Sequence, residues 1–132
     1  MKVSTNNPPY RVREKCEEVF DLTDIVPIFA FGDTIYNPHG AHVDPILIAH
    51  ETVHQHQQGE DPKQWWDDYL EYPKFRFRQE LQAYRVQYRF IKKTVKDRNT
   101  VAKLLHMIAT DLSGEMYGGM CSHSEAIKMI KK

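Results

Sequence analysis

The sequence predicts an α+β fold that is mostly α, and three stretches carry that reading. From Lys74 to Asp97 there is neither proline nor glycine, and Phe77, Leu81, Tyr84, Tyr88, Ile91 and Val95 recur at spacings of three and four, the stripe of a long amphipathic helix. Asp44-Pro45 supplies an N-cap and a first-turn proline ahead of I-L-I-A, and Gly59 stands where a C-terminal cap belongs, so a helix is expected over 45–58. The run I-V-P-I-F-A-F, then G-D, then T-I-Y-N-P is rich in aromatic and β-branched residues and predicts one or two short strands over roughly 27–37. Pro27 argues for an edge position.

The remaining elements follow in order. Pro8 and Pro9 precede Val12, Cys16, Val19 and Phe20 at helical intervals, which predicts a first helix over about 9–21. Residues 60–73 combine acids, paired tryptophans and two prolines, and read as a connecting segment with room for a helical turn at Pro62. Val101, Leu104, Leu105, Ile108 and Leu112 predict a helix that stops near Ser113-Gly114, and Ser122 with Glu125 forms a capping box for a last short helix. A chain of 132 residues is long enough for one core and short for two, so a single domain over 1–132 is expected.

Composition removes several classes of function. Lysine plus arginine and aspartate plus glutamate both total 18, leaving no net field to attract nucleic acid or an anionic membrane. The basic side chains of the long helix, Arg78, Arg85, Arg89, Lys92, Lys93 and Lys96, read as a solvated face, and no nucleic-acid partner is expected. No run approaches a membrane span, and the first residues lack the apolar core of an export signal. The two cysteines, Cys16 and Cys121, are far apart and form no C-x-x-C pair, which fits a reduced, cytoplasmic setting.

Chemistry concentrates in L-I-A-H-E-T-V-H-Q-H-Q-Q, residues 47–58. His50-Glu51-Thr52-Val53-His54 is an H-E-x-x-H motif. Residues four apart lie one turn above each other, so both imidazoles can reach one ion, while Glu51 is displaced sideways toward a water on it. Zinc hydrolysis needs that division: two neutral nitrogen ligands and a carboxylate that takes the water's proton. Zn2+ is therefore the expected cofactor, with Glu51 as general base. A catalytic site wants a third ligand; Glu80, beside the core stripe of the long helix, is the leading candidate, with Glu71, Asp67 and Asp68 as alternatives. Tyr84, one turn beyond Glu80, is placed to orient a ligand, and Tyr117 and His123, near the flexible glycines, are candidates to stabilise an oxyanion. His56 turns to the opposite side of its helix and reads as a surface residue, His106 reads as a hydrogen-bonded core residue, and at least one of Trp65 and Trp66 is expected in the core.

The edge strand F-A-F-G-D-T-I-Y, the helix with H-E-T-V-H and the later helix with E-L-Q-A-Y together resemble the zincin metallopeptidases of the glutamate-ligand kind, the gluzincins, in a minimal form. The tail L-S-G-E-M-Y-G-G-M-C-S-H-S-E-A is similar to that of small phage-type or bacterial zincin-like proteins. The resemblance covers roughly residues 27–90. It implies zinc held by His50, His54 and Glu80, Glu51 as base, a peptide or protein substrate lying along the edge strand, and a strand or hairpin packed on the motif helix. The sequence H-Q-H-Q-Q-G lacks the continuation of the metzincin branch, and no second lobe is evident. The alternative function is a zincin-like binding or structural protein whose zinc is non-catalytic.

Overall fold

A computed structural model describes residues 1–40 and 42–132. The architecture is α+β and mostly helical, with a small three-stranded sheet at one side. The strands are β1 (Lys2–Ser4), β2 (Phe29–Phe31) and β3 (Thr34–Tyr36); the helices are α1 (Val12–Val19), α2 (Pro45–Gln58), α3 (Pro62–Glu71), α4 (Pro73–Thr94), α5 (Arg98–Leu112) and α6 (His123–Lys131), and a 3₁₀ turn spans Glu115–Tyr117. The sheet order is β1-β3-β2, with β3 central. β2 and β3 form the expected hairpin around Gly32-Asp33, where Gly32 takes φ +60°. The third strand was not anticipated: β1 comes from the polar N-terminus and pairs in parallel with β3, Val3 opposite Ile35.

Two other sequence expectations are corrected. The segment 60–73 is not a connection but contains α3, ten residues long. Asp61 repeats the role of Asp44: its side chain accepts from the Gln64 amide, and Pro62 fills the first turn. Pro73 likewise fills the first turn of α4, there without a side-chain cap from Tyr72, so the prolines begin helices here and do not interrupt them. The first helix starts at Val12, later than expected, because Tyr10 and Arg11 both adopt left-handed backbone, φ 60° and 53°, which a continuing helix cannot contain.

The helices enclose two hydrophobic clusters. One lies among α4, α5 and α6 and contains Tyr84, Tyr88, Leu105, Ile108, Leu112 and Ile130. The other joins α1, α3 and β2 through Val12, Cys16, Phe29, Trp65, Trp66 and Tyr69. Both tryptophans are buried, one more than the sequence required. Tyr117 packs against both clusters. Arg85 donates its Nε–H to the Met129 carbonyl at 2.8 Å, tying α4 to α6 with a side chain that the sequence placed on a solvated face. Among the described residues, no helix is long and apolar enough to cross a membrane.

Candidate metal centre

α2 is inverted relative to an ordinary amphipathic helix. Its buried residues are His50, Glu51, His54 and Gln58, whereas Leu47 is 41% exposed. Burying polar groups is costly unless each finds a partner, and α4, packed alongside, supplies several of them. Glu80, itself buried, places Oε1 2.9 Å from His50 Nε2 and 3.0 Å from His54 Nε2. One ligand atom from each of these residues lies within 4.8 Å of the others, so the group could hold a metal ion. The three belong together because α2 contributes two residues one turn apart and α4 contributes the carboxylate between them.

The outer nitrogens of both histidines are also occupied. His50 Nδ1 lies 2.7 Å from Gln87 Oε1, and His54 Nδ1 lies 2.8 Å from Gln57 Oε1. The Gln57 amide is oriented by its own donors, since Nε2 bonds the Gln79 carbonyl at 3.0 Å and Gln82 Oε1 at 2.7 Å. An amide oxygen can only accept, so with Gln57 oriented in this way His54 carries a proton on Nδ1, and both histidines turn Nε2 toward Glu80. Two imidazole nitrogens and a carboxylate oxygen then face one another, a group that a positive charge holds together. Protons can provide that charge by making the imidazoles cationic; a divalent ion provides it with neutral histidines. Imidazole nitrogens and a carboxylate oxygen are ordinary ligands of a divalent metal ion.

The electrostatics agree with that geometry. Burial raises Glu80 but is outweighed by the charge of His54 and by hydrogen bonds from both histidines, which hold its carboxyl far below the ordinary range. Burial pulls His54 down, yet the Glu80 charge and hydrogen bond carry it up to about 9. Glu51 is raised, first by burial and further by Glu80, with His54 and His50 acting in the opposite sense. A carboxyl that takes up a proton more readily than usual suits an acid–base role.

These groups line a cavity of about 280 Å³. Its inner end holds His50, Glu51, His54 and Glu80; its outer wall includes Leu22, Ile25, Val26, Pro27, Ile28 and Leu47, of which Val26 is the most exposed at 69%. Among the described residues, no lysine or arginine lines it.

The other residues singled out in the sequence fall in several places. Tyr84 sets its ring edge-on to His50, centroids 4.6 Å apart, and Tyr117 lines the cavity with its ring 6.3 Å from that of Tyr84. Burial keeps the hydroxyls of both tyrosines protonated well above their usual range, so each remains a donor. His123 is instead half-buried at the start of α6, stacked on His106 with Nε2 3.1 Å from the His106 carbonyl, and it does not line the cavity. His106 is exposed, not in the core, and His56 is on the surface as expected. Of the alternative ligands, Asp67 accepts from the Tyr10 hydroxyl at 3.1 Å, Asp68 accepts from Gln64 at 3.0 Å, and Glu71 is exposed.

Three contributors were missed. Tyr69 donates its hydroxyl to Glu80 Oε2 at 2.5 Å, and Gln57 and Gln87 hold the histidines. The signal was present in the spacing: Gln57 is one turn beyond His54, Gln87 is two turns beyond Glu80, and Tyr69 follows Trp65 by one turn. Arg76 sets the position of Tyr69. Its buried guanidinium donates to the Tyr69 carbonyl at 2.7 Å, the Leu70 carbonyl at 3.3 Å and the Met116 carbonyl at 2.8 Å, closing the end of α3 and holding the 3₁₀ turn beneath it.

The edge of β2 is closed where the sequence left it open. The Gln58 amide donates to the Ala30 carbonyl at 2.7 Å and accepts from the Gly32 amide at 2.9 Å, and Trp66 Nε1 donates to the same Ala30 carbonyl at 3.0 Å. The outward carbonyl of Ala30 and the amide of Gly32 are therefore already hydrogen-bonded to side chains of α2 and α3. Comparison with known proteins adds nothing to this picture: no family model, curated protein or solved structure matches the chain.

Proposed function

We propose that the chain is a zinc-dependent hydrolase, and specifically a metallopeptidase, in which His50, His54 and Glu80 hold the metal and Glu51 is the general base. The observation that carries this reading is the meeting of both Nε2 atoms at Glu80 Oε1, with each Nδ1 held by an amide oxygen. The ligand group has three members, which leaves room for a water or a substrate oxygen. Zinc bound there supplies a Lewis acid that acidifies water and polarises a carbonyl oxygen.

The chain's own residues do the rest. Glu51, in the same cavity, accepts the proton of the attacking water on its carboxylate and returns it to the leaving amine. Tyr117 presents a protonated hydroxyl to the oxygen on which negative charge develops. The apolar outer wall offers a hydrophobic surface to the parts of a substrate beside the scissile bond. A peptide or protein substrate fits a cavity without cationic side chains better than a phosphorylated one does. Both cysteines are free, in keeping with a reduced, cytoplasmic setting.

Metal analysis of protein purified without added zinc, followed by hydrolysis of an unfolded protein, tests the reading. One zinc per chain is expected, and His50→Ala should abolish it. Glu51→Gln should keep the metal and lose hydrolysis. A parent without metal, or a Glu51→Gln variant as active as the parent, overturns the proposal, and a metal-loaded parent that cleaves nothing points to the non-catalytic alternative.

A further inference from the structure

We propose that Tyr69 is a positioning residue that holds Glu80 as a one-oxygen ligand of the bound metal, an inference that rests on the ligand set proposed above. The two oxygens of Glu80 have separate tasks. Oε1 faces both histidine Nε2 atoms, at 2.9 and 3.0 Å, while Oε2 accepts the Tyr69 hydroxyl at 2.5 Å. A carboxylate can offer a metal one oxygen or both, and a strong hydrogen bond to one of them settles the choice. With Oε2 committed to Tyr69, the carboxylate contributes a single donor atom, and the remaining position is left to water or substrate.

Tyr69 is itself held firmly enough to do this. Its ring stacks on Trp65, centroids 4.9 Å apart at 23°, meets Trp66 edge-on at 5.1 Å and Phe20 edge-on at 6.5 Å, and its carbonyl is bound by Arg76. The hydroxyl is thus fixed by aromatic packing on three sides, and Glu80 has to adapt to it. Together with Gln57 and Gln87, Tyr69 gives the ligands neutral hydrogen-bond partners that add no charge of their own beside the ion.

The test is Tyr69→Phe, which removes the hydroxyl and keeps the ring in its stack. Zinc affinity measured by competition with a chelator, and the visible absorption of the cobalt(II)-substituted protein, are the readings. Affinity should fall by about 10–100-fold, and the cobalt bands should weaken as the freed Oε2 joins the ion and raises its coordination number. Tyr10→Phe removes another tyrosine–carboxylate bond, to Asp67 on α3, and should leave both readings at parent values. If Tyr69→Phe matches the parent in affinity and spectrum, Tyr69 has no positioning role and the ligand set stands. If the parent binds neither ion, the metal reading itself is overturned.

Discussion

The two hydrophobic clusters differ in chemistry and in what they do for the metal group between them. The cluster of α4, α5 and α6 is largely aliphatic and is built from stripes at helical spacing; apart from the Tyr84 ring against His50, it supports α4 from behind. The cluster of α1, α3 and β2 is largely aromatic, and its members touch the site directly: Trp65 lies 5.1 Å from the His54 ring and Tyr69 bonds Glu80. The first cluster thus stabilises the fold, while the second also fixes the proposed ligands. Stability and metal affinity should therefore respond differently when each is damaged.

The largest effect is expected from Trp65→Ala. Removing a buried indole costs about 3–5 kcal/mol. It also takes away the stack under Tyr69, the contact with His54 and the donor to Gln79 Oε1 at 2.8 Å, so zinc affinity should fall together with stability. Leu112→Ala, at a fully buried position of the aliphatic cluster, costs about 2–5 kcal/mol but should leave the metal stoichiometry of the folded protein intact. Denaturant unfolding paired with metal analysis checks both. Equal loss of metal in the two variants would erase the distinction between the clusters.

A second contrast lies between the metal-stripped and the metal-loaded centre. Without metal, His54 has its folded pKa raised to about 9 from an unfolded value near 6.5, so its stabilisation is complete below pH 6.5 and is lost as pH rises toward 9. Glu80 is depressed, so its stabilisation is present above about 4.5 and fades on acidification. Metal binding has the opposite dependence at the alkaline end, because the histidines must be free of their Nε2 protons to act as ligands. Thermal unfolding with and without a chelator should show a gap that widens from pH 6.5 to 9. A constant gap across that range would mean that no proton is displaced by the ion.

Legibility in the sequence follows the same division. α2, α4, α5, α6 and the hairpin were readable because each carries its own signals: a periodic stripe, an N-cap with proline, a capping box, or a glycine turn. His50, His54 and Glu80 were readable because fixed local spacing puts two of them on one face and a core stripe puts the third beside it. α3 was not, because prolines at both ends and acids between the aromatics resemble a linker, although Trp65, Trp66, Tyr69 and Leu70 repeat at helical intervals. β1 could not be read at all, since Lys2–Ser4 has no apolar alternation and is a strand only through its non-local pairing with β3. Gln57, Gln87 and Tyr69 needed the tertiary arrangement, because a neutral side chain announces no role until its partner is in place.

The smallest predicted effect concerns the seam between α2 and the sheet. Gln58 spans Ala30 and Gly32 as a neighbouring strand's peptide group would, donating to one and accepting from the other. In Gln58→Leu the Ala30 carbonyl keeps its bond to Trp66, but the Gly32 amide loses its acceptor, at a cost of about 1–3 kcal/mol. Urea unfolding should show that loss with metal stoichiometry unchanged, because Gln58 lies one turn beyond His54 and bonds none of the ligands. A variant as stable as the parent would mean that water replaces the amide and the edge is open to it. With the clamp in place, the proposed peptide substrate would instead meet the segment before Ala30, where Val26, Pro27 and Ile28 line the cavity.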